Sequence, residues 1–117
     1  MNPVILKRFE APDELRSFEK GTFALVHLGG MTIGQASYEP GWKWSTHVGS
    51  LTGTATCQVA HVGMVVSGRA AVEMDDGTYY ELAPGDVFAI EPGHDSWVIG
   101  DEPYVSLHFL GAEAYAS

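Results

Sequence analysis

The chain has 117 residues, 45% of them apolar and 18% charged, enough for one globular domain with one core and too few for two. Fifteen acidic residues against six basic ones give a net charge of −9, with no basic cluster to neutralise a phosphate backbone, so nucleic acid is not an expected partner. The same excess disfavours anionic lipid, and no apolar run approaches the ~20 residues that span a bilayer.

In residues 1–10, Lys7 and Arg8 are not followed by an apolar stretch, so no secretory signal is read and a cytoplasmic location is expected. Cys57 is the single cysteine, which rules out a disulfide within one chain and suits a reducing compartment. Residues 12–18, with Asp13 and Glu14 in a first turn, form the one helix candidate. Beyond it, fourteen glycines and six prolines punctuate short runs rich in Val, Ile, Thr, Tyr and Phe, the pattern of an all-β chain of nine or ten strands.

Residues 22–28 and 31–38 read as strands joined by Gly29-Gly30, a dipeptide that supplies the positive φ of a tight hairpin. After the turn at Glu39-Pro40-Gly41, residues 42–48 read as a strand with Trp42 and Trp44 alternating, and 49–56 as a loop of small residues. A single strand is expected over 57–67, with Cys57, Val59, His61, Gly63 and Val65 on one face. Residues 70–74 and 78–82 flank Asp75-Asp76-Gly77, a strong hairpin signal. A turn at 91–95 separates strands 87–90 and 96–99, and 104–110 is the last strand. One domain over 1–117 is expected, without linker or repeat.

Two stretches resemble the motifs of the cupin superfamily. The second family motif is Gly, five residues, Pro, one residue, Gly, two residues, His, three residues, Asn. Here Gly85-Asp86-Val87 and Pro92-Gly93-His94 reproduce its start and its turn, with Glu91 at the proline position, Ser96 at the histidine position and Gly100 at the asparagine position. His94 is displaced from the motif histidine by two residues. The first motif is Gly, five residues, His, one residue, His, three or four residues, Glu, six residues, Gly. Gly41 to His47 matches its opening, and counting back from Gly68 places His61 at the glutamate and Cys57 at the second histidine, with an insertion between the two parts.

The resemblance spans about residues 34–111 and is to small single-domain cupins without an assigned activity. It implies a double-stranded β-helix, or jelly-roll barrel, a divalent metal held by His47, Cys57, His61 and His94, a small-molecule ligand, and a homodimer formed through sheet edges. Thiolate with imidazole favours zinc, while imidazole with carboxylate or water is the set used by iron, manganese and nickel. The implied reaction classes are those of a dioxygenase, isomerase, decarboxylase or lyase. A non-catalytic binding or sensor domain is the alternative.

His108 and His27 lie outside both motifs; His108 can face the barrel from the last strand, and His27 is expected at the surface or packed. Trp42, Trp44, Trp97, Tyr38, Met64 and Phe88 are candidates for pocket lining, with ordinary core packing the bland reading for each. Glu73, Glu81, Glu91 and Asp95 make a carboxylate base available without singling one out.

Overall fold

The structure, a computed structural model, describes residues 4–112. Its elements in chain order are β1 (Glu14–Phe18), β2 (Gly21–Leu28), β3 (Met31–Tyr38), α1 (Trp44–His47), α2 (Gly49–Thr52), β4 (His61–Ser67), β5 (Arg69–Met74), β6 (Tyr79–Leu82), β7 (Val87–Ile90), β8 (His94–Ile99) and β9 (Tyr104–Leu110). They form two antiparallel sheets, ordered β1-β2-β3-β9-β4-β7 and β6-β5-β8. This is the all-β jelly-roll fold, with the core packed between the two sheets. No helix among the described residues is long and apolar enough to cross a membrane.

Five sequence expectations are corrected. Residues 14–18 are not helical: Phe18 faces Gly21 across a tight turn at Glu19-Lys20, and Lys20 takes the left-handed φ of 64°. Two helical turns are too short to nucleate alone, whereas the free edge of β2 offers a ready ladder. Residues 42–48 do not run on as a strand. Trp42 and Lys43 still pair with β8, then the chain coils into α1 because the Asp95 carboxylate accepts hydrogen bonds from the Ser45 N–H at 3.0 Å and the Ser45 hydroxyl at 2.7 Å. That partner, fifty residues away, satisfies an amide at the helix start that lacks a local acceptor. The expected loop 49–56 accordingly contains α2.

The strand expected from residue 57 starts at His61, and Cys57 makes an isolated bridge to His94 instead. The turn expected at 91–95 ends two residues early, because His94 and Asp95 already pair with Met74 and Glu73 of β5.

Between the sheets pack Phe23, Leu25, Tyr38, Trp42, Val65 and Phe88, and the Tyr38 ring stacks on Trp42 at 3.8 Å with 6° between planes. Gly63 is buried in β4 two residues from His61, where a Cβ would collide with the Leu107 carbonyl oxygen and the Phe88 ring. Gly63→Ala is therefore expected to cost about 3 kcal/mol through overpacking against backbone that cannot yield cheaply. An unchanged urea midpoint would show that β4 and β9 do not depend on this close approach.

Candidate metal centre

Alternation along the strands aims several polar side chains into an otherwise apolar interior. His61 opens β4 and His94 opens β8, and each is only 4% exposed. Cys57 reaches the same place through its bridge, in which its N–H donates to the His94 carbonyl at 2.7 Å while the Gly93 N–H donates to the Cys57 carbonyl at 2.8 Å. Gly93 sits at φ 90°, a conformation that spares a side chain strain only if there is none.

One ligand atom from each of Cys57, His61 and His94 lies within 4.8 Å of the others, and all three residues are buried. The Cys57 sulfur stands 3.4 Å from Nε2 of His61. Around a tetrahedral zinc with usual bond lengths, sulfur and nitrogen ligands are about 3.5 Å apart, so this pair already has ligand spacing. Without an ion the same distance suits a thiol donating to imidazole. The Nδ1–H of His94 donates to the Glu91 carbonyl at 2.7 Å, which fixes the tautomer and leaves Nε2 unprotonated.

Burial, helped by the two neighbouring imidazoles, pushes His61 down to about 3, and burial takes His108 down to about 4. Burial also lowers His94, against the opposing pull of the Glu91 carbonyl and the charges of Asp95 and Asp75. All three rings are thus neutral at pH 7, the form that ligates metal. The Cys57 thiol moves the other way, up to about 11, mainly through burial and further through the Asp95 charge. It stays protonated unless a cation draws the proton off.

Of the four expected ligands the structure brings three together. His47 is not among them: the Lys43 N–H donates to its Nδ1 at 3.0 Å, and its Nε2 faces the Glu19 carboxylate at 3.2 Å. Coiling into α1 removes residue 47 from the strand alternation that would have turned it inward. His108, which no motif supports, does join the interior. Its ring centroid lies 5.3 Å from that of His61, and its Nε2 is 2.9 Å from the Ser106 hydroxyl. The inward spacing Tyr104, Ser106, His108 was the signal available for it. His27 is exposed, with its Nδ1 2.9 Å from the Thr32 hydroxyl.

Tyr38, Trp42, Trp44 and Phe88 line a cavity of about 40 Å³ beside the imidazoles. Met64 and Trp97 do not, since both lie on outward faces, and Lys43 Nζ sits 5.2 Å over the Trp97 ring. Asp95 is occupied with α1. A larger cleft of about 690 Å³ opens between β6 and β7, and Val72, Leu82, Phe88 and Ile90 line both spaces.

A barrel of two antiparallel sheets with inward histidines defines the cupin fold, and this chain has it. A cupin-2 domain from Rhodospirillum rubrum is 20% identical with a TM-score of 0.56, over 90% of this chain and 65% of that one. A sugar phosphate isomerase from a cupin superfamily, from Silicibacter pomeroyi, is 20% identical with a TM-score of 0.56, over 77% of this chain and 58% of that one. An oxalate decarboxylase mutant from Bacillus subtilis is 19% identical with a TM-score of 0.60, over 88% of this chain and 29% of that one. The chain thus spans less than a third of that decarboxylase. No family model and no curated protein matches the chain.

Proposed function

We propose that this protein is a metal-dependent cupin in which Cys57, His61 and His94 hold one divalent ion and present it to a small organic ligand. The observation that carries this reading is the buried cluster of one sulfur and two imidazole donors at ligand spacing. Three protein donors leave a position open, as in catalytic rather than structural sites, and the thiol makes zinc the favoured ion over iron, manganese or nickel. A bound ion would polarise an oxygen of the ligand. The fold neighbours named as an isomerase and a decarboxylase make those reaction classes, with lyase and dioxygenase chemistry, the ones to screen. The cleft between β6 and β7 is the approach for an organic ligand, with Phe88 and Leu82 as the partition it must move. A reducing cytoplasm would keep Cys57 available.

The small size of the cavity beside the imidazoles favours a second reading. About 40 Å³ lies far below the ~300–1,000 Å³ of usual ligand pockets, so the same site also suits a binding or sensor domain that admits no large substrate.

The test is elemental analysis of untagged protein, wild type and His61→Ala, with wild type expected to carry close to one metal ion per chain. Equally low metal in both would sink the proposal, and equal bound metal in both would require a different ligand set. Zinc binding by the metal-free protein near pH 7 is expected to release one proton, because the imidazoles are already neutral and only Cys57 must ionise. Calorimetry in buffers of differing ionisation enthalpy reads that proton, and Cys57→Ala should abolish its release.

A further inference from the structure

Two buried donors beside the metal centre have nothing to donate to. Trp42 and Trp44 are 2% and 3% exposed, and both rings wall the small cavity next to His61 and His94. Neither indole nitrogen reaches bulk water or has a hydrogen-bond partner among the described residues. A native core keeps few such groups, because phenylalanine would pack there without stranding a donor. Trp42 is stacked on Tyr38 with 6° between ring planes, which leaves its N–H edge outside the stack. Trp44 turns its benzo edge to α2, where a Cβ on Gly49 would stand 3.0 Å from its Cζ3, so its N–H lies on the opposite edge.

Among the described residues the wall of this cavity includes no Asp, Glu, Lys or Arg. A divalent ion held by one thiolate and two neutral imidazoles therefore leaves one positive charge uncompensated in a largely apolar space. What completes the site is one negative charge, on a group that accepts hydrogen bonds and donates none, since an indole N–H only donates. A carboxylate meets each requirement. It is a flat monoanion, and its two oxygens offer about four lone-pair sites, enough for the ion and for both indoles. A phosphate monoester would instead bring close to two negative charges and a third oxygen into about 40 Å³.

We propose that the small organic ligand is a monocarboxylic acid, bound by its carboxylate, with the indole N–H groups of Trp42 and Trp44 donating to the carboxylate oxygens. This rests on the three-donor metal centre. Only the carboxylate head enters the small cavity, and the tail lies toward the cleft between β6 and β7, past Leu82 and Phe88. The cleft sets what the tail carries. Asp75, Asp76, Glu81 and Glu91 line it, without Lys or Arg among the described residues of its wall, and of the four only Glu81 is paired, to Arg69 at 2.7 Å. A second carboxylate on the tail would sit in that negative field. The site thus accepts monoacids whose tails hold no negative charge, and it rejects diacids.

The test is magnetic resonance of the indole N–H signals in zinc-loaded, isotope-labelled full chain, titrated with acetate, butyrate, succinate and chloride. The chain has three tryptophans, and Trp97→Phe, at an outward position under Lys43, identifies the third signal. Acetate is expected to move the signals of Trp42 and Trp44 downfield, as hydrogen bonding does, and to leave that of Trp97 in place. Butyrate should bind at least about tenfold more tightly than succinate, which has the same chain length and a second charge. Trp44→Phe removes one N–H given to a charged acceptor and should weaken acetate binding about ten- to a hundredfold at unchanged zinc content. The wild-type shifts need no core variant, so the test survives if Trp44→Phe does not fold. A chain that binds no zinc overturns both the metal centre and this assignment. If zinc binds, the assignment alone is overturned when acetate leaves both buried indoles unmoved, when chloride moves them as far, or when succinate binds as tightly as butyrate.

Discussion

His61→Ala is expected to bind zinc a hundred- to a thousandfold more weakly than wild type. Structural zinc sites with four protein ligands are worth about 10–16 kcal/mol, so one ligand carries roughly 3–4 kcal/mol, and each 1.4 kcal/mol is a factor of ten. His61 is the member that touches the others, with the Cys57 sulfur 3.4 Å from its Nε2 and the His94 ring centroid 5.3 Å away. Removing it leaves Cys57 and His94 joined only through backbone. The loss should also appear in stability. Saturating metal at a hundred times Kd adds about 2.7 kcal/mol to a native state that alone binds it. For a domain of this size that is on the order of 10 °C in Tm, which His61→Ala should forfeit. His47→Ala is the informative control, because its ring nitrogens serve Lys43 and Glu19. It should keep zinc affinity within about twofold. Equal losses from the two variants, measured by competition with a chelating dye, would contradict the three-donor site.

The β class and the hairpins at Gly29-Gly30 and Asp75-Asp76-Gly77 were legible because they rest on local rules of turn chemistry and alternation, whereas Cys57 meets His61 through a bridge to His94 and not along one strand. What failed to show was non-local. Nothing near residue 45 announces that a carboxylate from β8 will start a helix there, and that one contact takes His47 out of the site. Similarly, His94 sits after a Pro-Gly turn and reads as turn, yet its pairing with Met74 and its bridge to Cys57 make it the first residue of a strand. β9 misleads for another reason. Its more apolar set faces outward, so a rule that sends apolar residues to the core would put His108 on the surface, whereas it lies 7% exposed beside His61.

The same burial predicts steep acid instability of the metal-free protein. His61 and His108 titrate near 3 and 4 in the folded chain and His94 is lowered as well, against an ordinary value of 6.5. Because the folded values are depressed, unfolding takes up protons below pH 6.5. The stabilising contribution is complete above that pH and is lost as pH falls toward the folded values. His61 and His108 alone give a slope approaching about 3 kcal/mol per pH unit between 6.5 and their folded values, with His94 adding in the same direction, so a domain holding about 5–15 kcal/mol should lose a large part of its stability in mild acid. Relief of the −9 net charge on acidification opposes this, but it is spread over exposed carboxylates and is weaker than three buried imidazoles. Urea unfolding at pH 7, 6 and 5 measures the slope directly, and His108→Gln should reduce the proton uptake by about one. Stability that is flat from pH 7 to 5 would mean that the imidazoles are solvated, and then Cys57, His61 and His94 would not form the dry, neutral donor set on which the metal proposal rests.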